Sequence, residues 1–72
     1  MDDAVKLAVA VAKLETWLNT TGGRCEIVSE PCGTFERCPV VRLTHPSGAS
    51  SAGRDPKDAT LHVAIVDALR WV

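Results

Sequence analysis

The sequence predicts a single α+β domain of two layers, in the order α-β-β-(β)-α, with an antiparallel sheet of two or three strands and both helices on one of its faces. Three observations carry this reading. Both ends of the chain repeat apolar residues at helical spacing, the middle alternates at period two, and short turn signals separate the segments. With 72 residues the chain makes one domain, 1–72. A domain of that size buries only about 60% of the surface its unfolded chain exposes, so it holds a thin core and no deep cleft.

The first helix is expected over residues 2–19. Ala4, Leu7, Val11, Leu14 and Leu18 share one face, with Ala10 and Trp17 at its margin. Asp2 and Asp3 suit the positive end of the helix dipole, and Asn19 to Gly23 supply residues that accept the left-handed conformation that closes a helix. Residues 24–30 then alternate, so that Cys25 and Ile27 turn towards the helices while Glu26, Val28 and Glu30 turn away. Residues 39–44 repeat the pattern, with Val41 and Leu43 inward and Val40, Arg42 and Thr44 on a face expected to be wet. Between them, residues 31–38 exceed a two-residue hairpin turn and predict an extended loop.

His45-Pro46-Ser47-Gly48 is a turn signal, and residues 49–54 can form a short third strand, although their small side chains give little to pack. Asp55 is then expected as N-cap, with Pro56 at the first helical position and Asp58 in the first turn of the last helix. Leu61, Ile65, Ala68, Leu69 and Val72 form its stripe. Trp17 and Trp71, in the last turns of the two helices, are expected to seal the ends of the core.

Apolar residues remain away from both stripes: Val5, Val9 and Ala12 on the first helix, and Ala59, Val63 and Val66 on the second. In a monomer these would be partly exposed, which makes Val5, Val9, Val63 and Val66 candidate binding residues. Phe35, with Glu36 and Arg37, is expected in the middle of the loop, where an aromatic beside an arginine resembles a protein-binding hot spot. The competing reading has Phe35 fold back to cap the sheet edge.

Eight Lys and Arg against nine Asp and Glu leave a net charge of −1, which gives no electrostatic footprint for nucleic acid. The order of elements is also that of the double-stranded RNA-binding domain, but the lysine cluster of that domain is replaced by Asp55-Pro56-Lys57-Asp58. Nucleic acid is therefore not expected as a partner. Asp2, Asp3, Lys6, Lys13 and Glu15 interrupt the first apolar run and no basic region precedes it, so no signal peptide or membrane anchor is expected. A cytoplasmic protein keeps its three cysteines reduced, with Cys25 a small buried hydrophobe and Cys32–Cys38 bonded only in oxidising solution. Cys25, Cys32, Cys38 and His45 lack the close ligand pairs of a zinc site, and neither His45 nor His62 is set beside a nucleophile. No catalytic residue, metal or cofactor is expected.

The final run Thr60-Leu61-His62-Val63-Ala64-Ile65-Val66-Asp67-Ala68-Leu69, preceded by Ala52-Gly53, resembles the phage ABA sandwich domain family, the likeness resting on Ala52, Gly53, Ala64, Ile65 and Ala68. The first helix and hairpin lack the aromatic residues common in that family. The resemblance implies a small phage or prophage accessory protein that acts in the host bacterial cytoplasm by occluding or bridging a larger host protein. Inhibitors of bacterial defence systems such as CRISPR effectors are among proteins of this kind. The alternative is a structural homo-oligomer in which Val5, Val9, Val63 and Val66 meet their symmetry mates, and a double-stranded-RNA-binding-like module stands third.

Overall fold

The computed structural model describes residues 2–72. Its elements run α1 (Asp3–Thr21), β1 (Arg24–Cys32), β2 (Phe35–Thr44), β3 (Ser50–Arg54) and α2 (Leu61–Trp71). The strands form one antiparallel sheet ordered β1-β2-β3. Helix α2 lies on β2 and β3 with α1 packed beside it, which is the expected α+β arrangement. The shortest extent of the molecule, 16 Å, leaves room for one sheet and one helical layer.

Asp2 caps α1 by accepting a hydrogen bond from the Ala4 N–H at 3.1 Å. Gly22, at φ 70°, closes the helix by donating its N–H to the Leu18 carbonyl at 2.9 Å. The buried stripe is rotated from the expected one. Ala10 and Leu14 are buried, Leu7, Val11, Trp17 and Leu18 pack around them, and Ala4 is exposed. Ala10 joins Ala64 and Ala68 in one buried cluster, where small side chains let the helices come close.

The hairpin differs from expectation. No extended loop joins β1 to β2; the strands continue to Cys32 and resume at Phe35, leaving a two-residue turn at Gly33 and Thr34. Gly33 supplies the left-handed backbone at φ 54°, and a side chain there would strike the Pro56 carbonyl oxygen. A bulge between Glu30 and Cys32, at Pro31, breaks the alternation that would have revealed the strand. Pro39 sits in β2 just beyond Val40, the last residue paired with β3, so one side of the strand there has no neighbour to bond. Cys32 and Cys38 are joined by a disulfide, the pairing expected in oxidising solution, and Cys25 remains free.

Nor is the second sheet face simply wet. Val40 alternates away from Val41 and Leu43, yet it is fully buried with Cys32 and Cys38, flanked by Val28 and Ala59. The segment after β3 makes this second small core by laying Ala59 against the far end of the hairpin. The Arg42–Glu30 ion pair, at 2.6 Å, also lies on this face. Arg42 stands opposite Glu26 and Glu30 stands opposite Cys38, so the pair reaches across the Val28–Val40 row between them.

The third strand forms because its side chains are small. Gly53 and Ser51 pair with Val41 and Leu43 on the helix side, and α2 rests directly on them. The Ser51 hydroxyl donates to the Ala68 carbonyl at 2.8 Å. A Cβ on Gly53 would collide with the backbone of Ala64 and Ala68.

Helix α2 begins later than expected. Asp55 does cap a turn, accepting from the Lys57 and Asp58 N–H groups at 3.1 and 3.2 Å, but that turn ends at Ala59, which takes φ 54°. The chain breaks there because Ala59 is drawn into the second core, and α2 restarts with Thr60 as N-cap. Asp55 holds this restart as well, accepting the Thr60 N–H at 3.2 Å and its hydroxyl at 2.6 Å. The Thr60 hydroxyl bond, with the backbone N–H bonds, lowers the Asp55 pKa from 3.8 to about 2. A carboxylate depressed in the folded state contributes stability that is complete above its unfolded pKa and fades as pH falls through the folded one. Urea midpoints of the wild type should therefore decline between about pH 4 and pH 2, and Asp55→Asn should flatten that decline. Equal acid slopes in the two proteins would refute this role for Asp55.

Candidate functional site

The candidate residues divide between two surfaces. On α1, Val5 and Val9 are 49% and 48% exposed, and with Ala12 and Thr16 they run along the side of the helix turned away from the core. That strip carries no charge until Lys13 at its flank, which is unusual for the solvent side of a surface helix.

On α2, Val63 and Val66 are 39% and 38% exposed and line a groove with Arg54, Pro56, His62, Asp67 and Arg70. The groove exists because α2 restarts after the turn at residues 55–58, which leaves Pro56 projecting beside the first turn of the helix. His62 lines it on one side and on the other lines a cleft with Ala4, Leu7 and Leu61, between the starts of the two helices. The Asp67 carboxylate accepts the Arg54 backbone N–H at 3.3 Å and so fixes the groove floor to the edge of β3.

Phe35, Glu36 and Arg37 are not in a loop, as the sequence suggested, but in the first residues of β2. Phe35 stands opposite Cys32 and is half-buried, so it is no free aromatic at a loop tip. Arg37 donates to the Ser29 carbonyl at 3.2 Å across the hairpin. Gly33, two residues before Phe35, abuts Pro56, so the hairpin tip adjoins the Val63–Val66 groove.

Two residues behave differently from their sequence assignment, and a third behaves as expected. Trp71 does not seal the core; it is 71% exposed beside Arg70 at the end of α2. Trp17 does pack on the core, where its ring leaves no room for a Cβ on Gly23 and meets His45 edge-on at 6.4 Å. Ile27 is on the helix side of the sheet, opposite Val41, but is 52% exposed because no helix extends over that part of β1. Helix α2 packs on β3 and β2 and α1 packs mainly on α2, which leaves this part of β1 without a helix over it.

Chemically, these surfaces offer apolar contact edged by charge. Burial raises the pKa of the Cys25 thiol, which keeps it protonated at neutral pH. Among the described residues no group of three or more His, Cys, Asp and Glu is placed to hold a metal ion. No helix of the described residues is long and apolar enough to cross a membrane. No protein-family model, curated protein or solved structure matches the chain.

Proposed function

We propose that this chain is a small non-enzymatic binding protein of phage or prophage type that acts in the bacterial cytoplasm by covering part of a larger host protein. The observation that carries this is the Val63–Val66 groove, an apolar floor edged by Arg54, His62, Asp67 and Arg70 and adjoined by the hairpin tip. Apolar contacts ringed by polar side chains are what a binding surface needs, and the exposed Trp71 beside Arg70 adds two of the residue types enriched in binding hot spots. The target class named by the family resemblance is a bacterial defence effector such as a CRISPR complex. The second reading, a structural homo-oligomer, rests on the exposed Val5, Val9, Val63 and Val66 meeting their symmetry mates.

Co-purification with candidate effectors, followed by titration of the purified pair, tests the first reading. Val63→Asp with Val66→Asp should weaken binding by about 2 kcal/mol or more, roughly thirtyfold, while the far-UV spectrum stays unchanged. Expression of the wild type should restore plaque formation on a host whose defence otherwise blocks it, and the double variant should not. Absence of binding and of any effect on defence would reject the reading.

A further inference from the structure

We infer that β1 is a self-association edge: two copies of the chain join antiparallel along it, about a two-fold axis at Ile27, into one six-stranded sheet. The two edges of the sheet are not alike. The β3 edge is short, Ser50–Arg54, and the Arg54 N–H at its end is taken by the Asp67 carboxylate. The β1 edge spans Arg24–Cys32 and no element lies beyond it in the sheet. Its last residues are closed by Pro31 and the bulge, but Arg24–Glu30 presents a row of main-chain groups ready to pair with another strand.

The side chains select one partner and one register. With the axis at Ile27, Ile27 meets the partner's Ile27, Cys25 meets the partner's Ser29, and Glu26 meets the partner's Val28. Arg24 meets the partner's Glu30 on the open face, and the symmetry makes that ion pair twice. Arg42 already holds Glu30 through Oε1, which leaves Oε2 for Arg24. Neighbouring registers are penalised: an axis at Glu26 sets two Glu26 carboxylates face to face, and an axis at Val28 sets Glu26 against the partner's Glu30. The Ile27 side chains, 52% exposed in the protomer, become each other's cover. The axis stands normal to the sheet, so all four helices lie on one side of the dimer.

Sedimentation velocity over a micromolar to submillimolar concentration series reads the association directly. The wild type should sediment as a dimer at the upper end, with Arg24→Glu and Ile27→Lys each weakening dimerisation about tenfold or more and Val66→Asp leaving it unchanged. In a Cys25→Ser background, Ile27→Cys should cross-link to a covalent dimer under mild oxidation, since directly opposed residues at the axis are close enough for a disulfide. Circular dichroism of each variant separates lost association from lost folding. A chain that stays monomeric and does not cross-link at Ile27→Cys overturns the proposal, as does a dimer broken by Val66→Asp but not by Arg24→Glu or Ile27→Lys.

Discussion

Gly53→Ala is expected to destabilise the protein by about 3 kcal/mol or more, at the upper end of what overpacking costs. The added methyl group would point into α2 where the helix backbone lies on the strand, meeting the Ala64 carbonyl oxygen, the Ala68 N–H and, at 2.8 Å, the Ala68 Cα. None of these is a flexible side-chain end that can swing aside. Relief requires moving α2 off the sheet, and with it Ile65, which packs with Val41 and Leu43 in the main core, and the Ser51–Ala68 hydrogen bond. A domain of 72 residues has roughly 4 to 10 kcal/mol of stability in all. The substitution thus removes a large part of it, and the thermal midpoint should fall by about 15 °C or more. Gly48→Ala provides the control. A Cβ at Gly48 meets nothing, so only its left-handed backbone at φ 98° opposes the change, a cost of about 1 kcal/mol. If thermal melts show Gly53→Ala no worse than Gly48→Ala, the close approach of α2 to β3 is wrong.

That contact also marks how far the sequence could be read. Helical spacing identified both helices, and alternation identified the sheet faces at Val41 and Leu43, because each pattern follows from one element's own geometry. Smallness on β3 looked like weak packing, although it is the condition for α2 to sit there. The paired signal was available as Gly53 on the strand and Ala64 with Ala68 one turn apart on the helix, but it becomes a contact only once the two elements are known to face each other. The hairpin was hidden for a different reason. Pro31, Cys32 and Gly33 read as loop residues singly, whereas together they make a bulge, a bridge and a tight turn.

The candidate surfaces were legible to the same degree. Val5, Val9, Val63 and Val66 stood out because they fall off stripes that periodicity defines, and they are exposed in the structure. Phe35 was misplaced along with the hairpin. Ile27 and Trp71 were assigned to the core on correct face and position arguments, yet burial depends on what covers a face, and coverage is a tertiary property. The Asp55 helix start shows the limit most directly. Its capping chemistry operates as expected, but the second core claims Ala59 and ends the turn that Asp55 began.

Reducing the Cys32–Cys38 bridge is expected to lower stability by about 2 kcal/mol, the loop-closure entropy returned to the unfolded chain when so short a loop is opened. The sequence separation is 6, near the lower limit of what such a bridge contributes. For a protein this small the urea midpoint should fall by roughly 2 M in the presence of reductant. Cys32→Ala with Cys38→Ala should reproduce the loss and add to it, because both sulfurs are buried against Val40 and Ala59 and their removal leaves space. The stoichiometry of thiol labelling gives an independent measure: in denaturant without reductant only Cys25 should react, and after reduction all three cysteines should. Three reactive thiols before reduction, or a urea midpoint indifferent to reductant, would exclude the bridge. In a reducing cytoplasm the pair is held as two thiols. The hairpin end then depends on the Gly33 turn, its contact with Pro56 and the packing of Val40, so the surface beside the Val63–Val66 groove should be looser there than in an oxidising solution. Hydrogen exchange at residues 32–38 and 56–60 should accelerate on reduction while α1 and the centre of β2 stay protected. Uniform acceleration across the whole chain would instead mean that the bridge stabilises the domain globally and leaves the groove no looser than the rest.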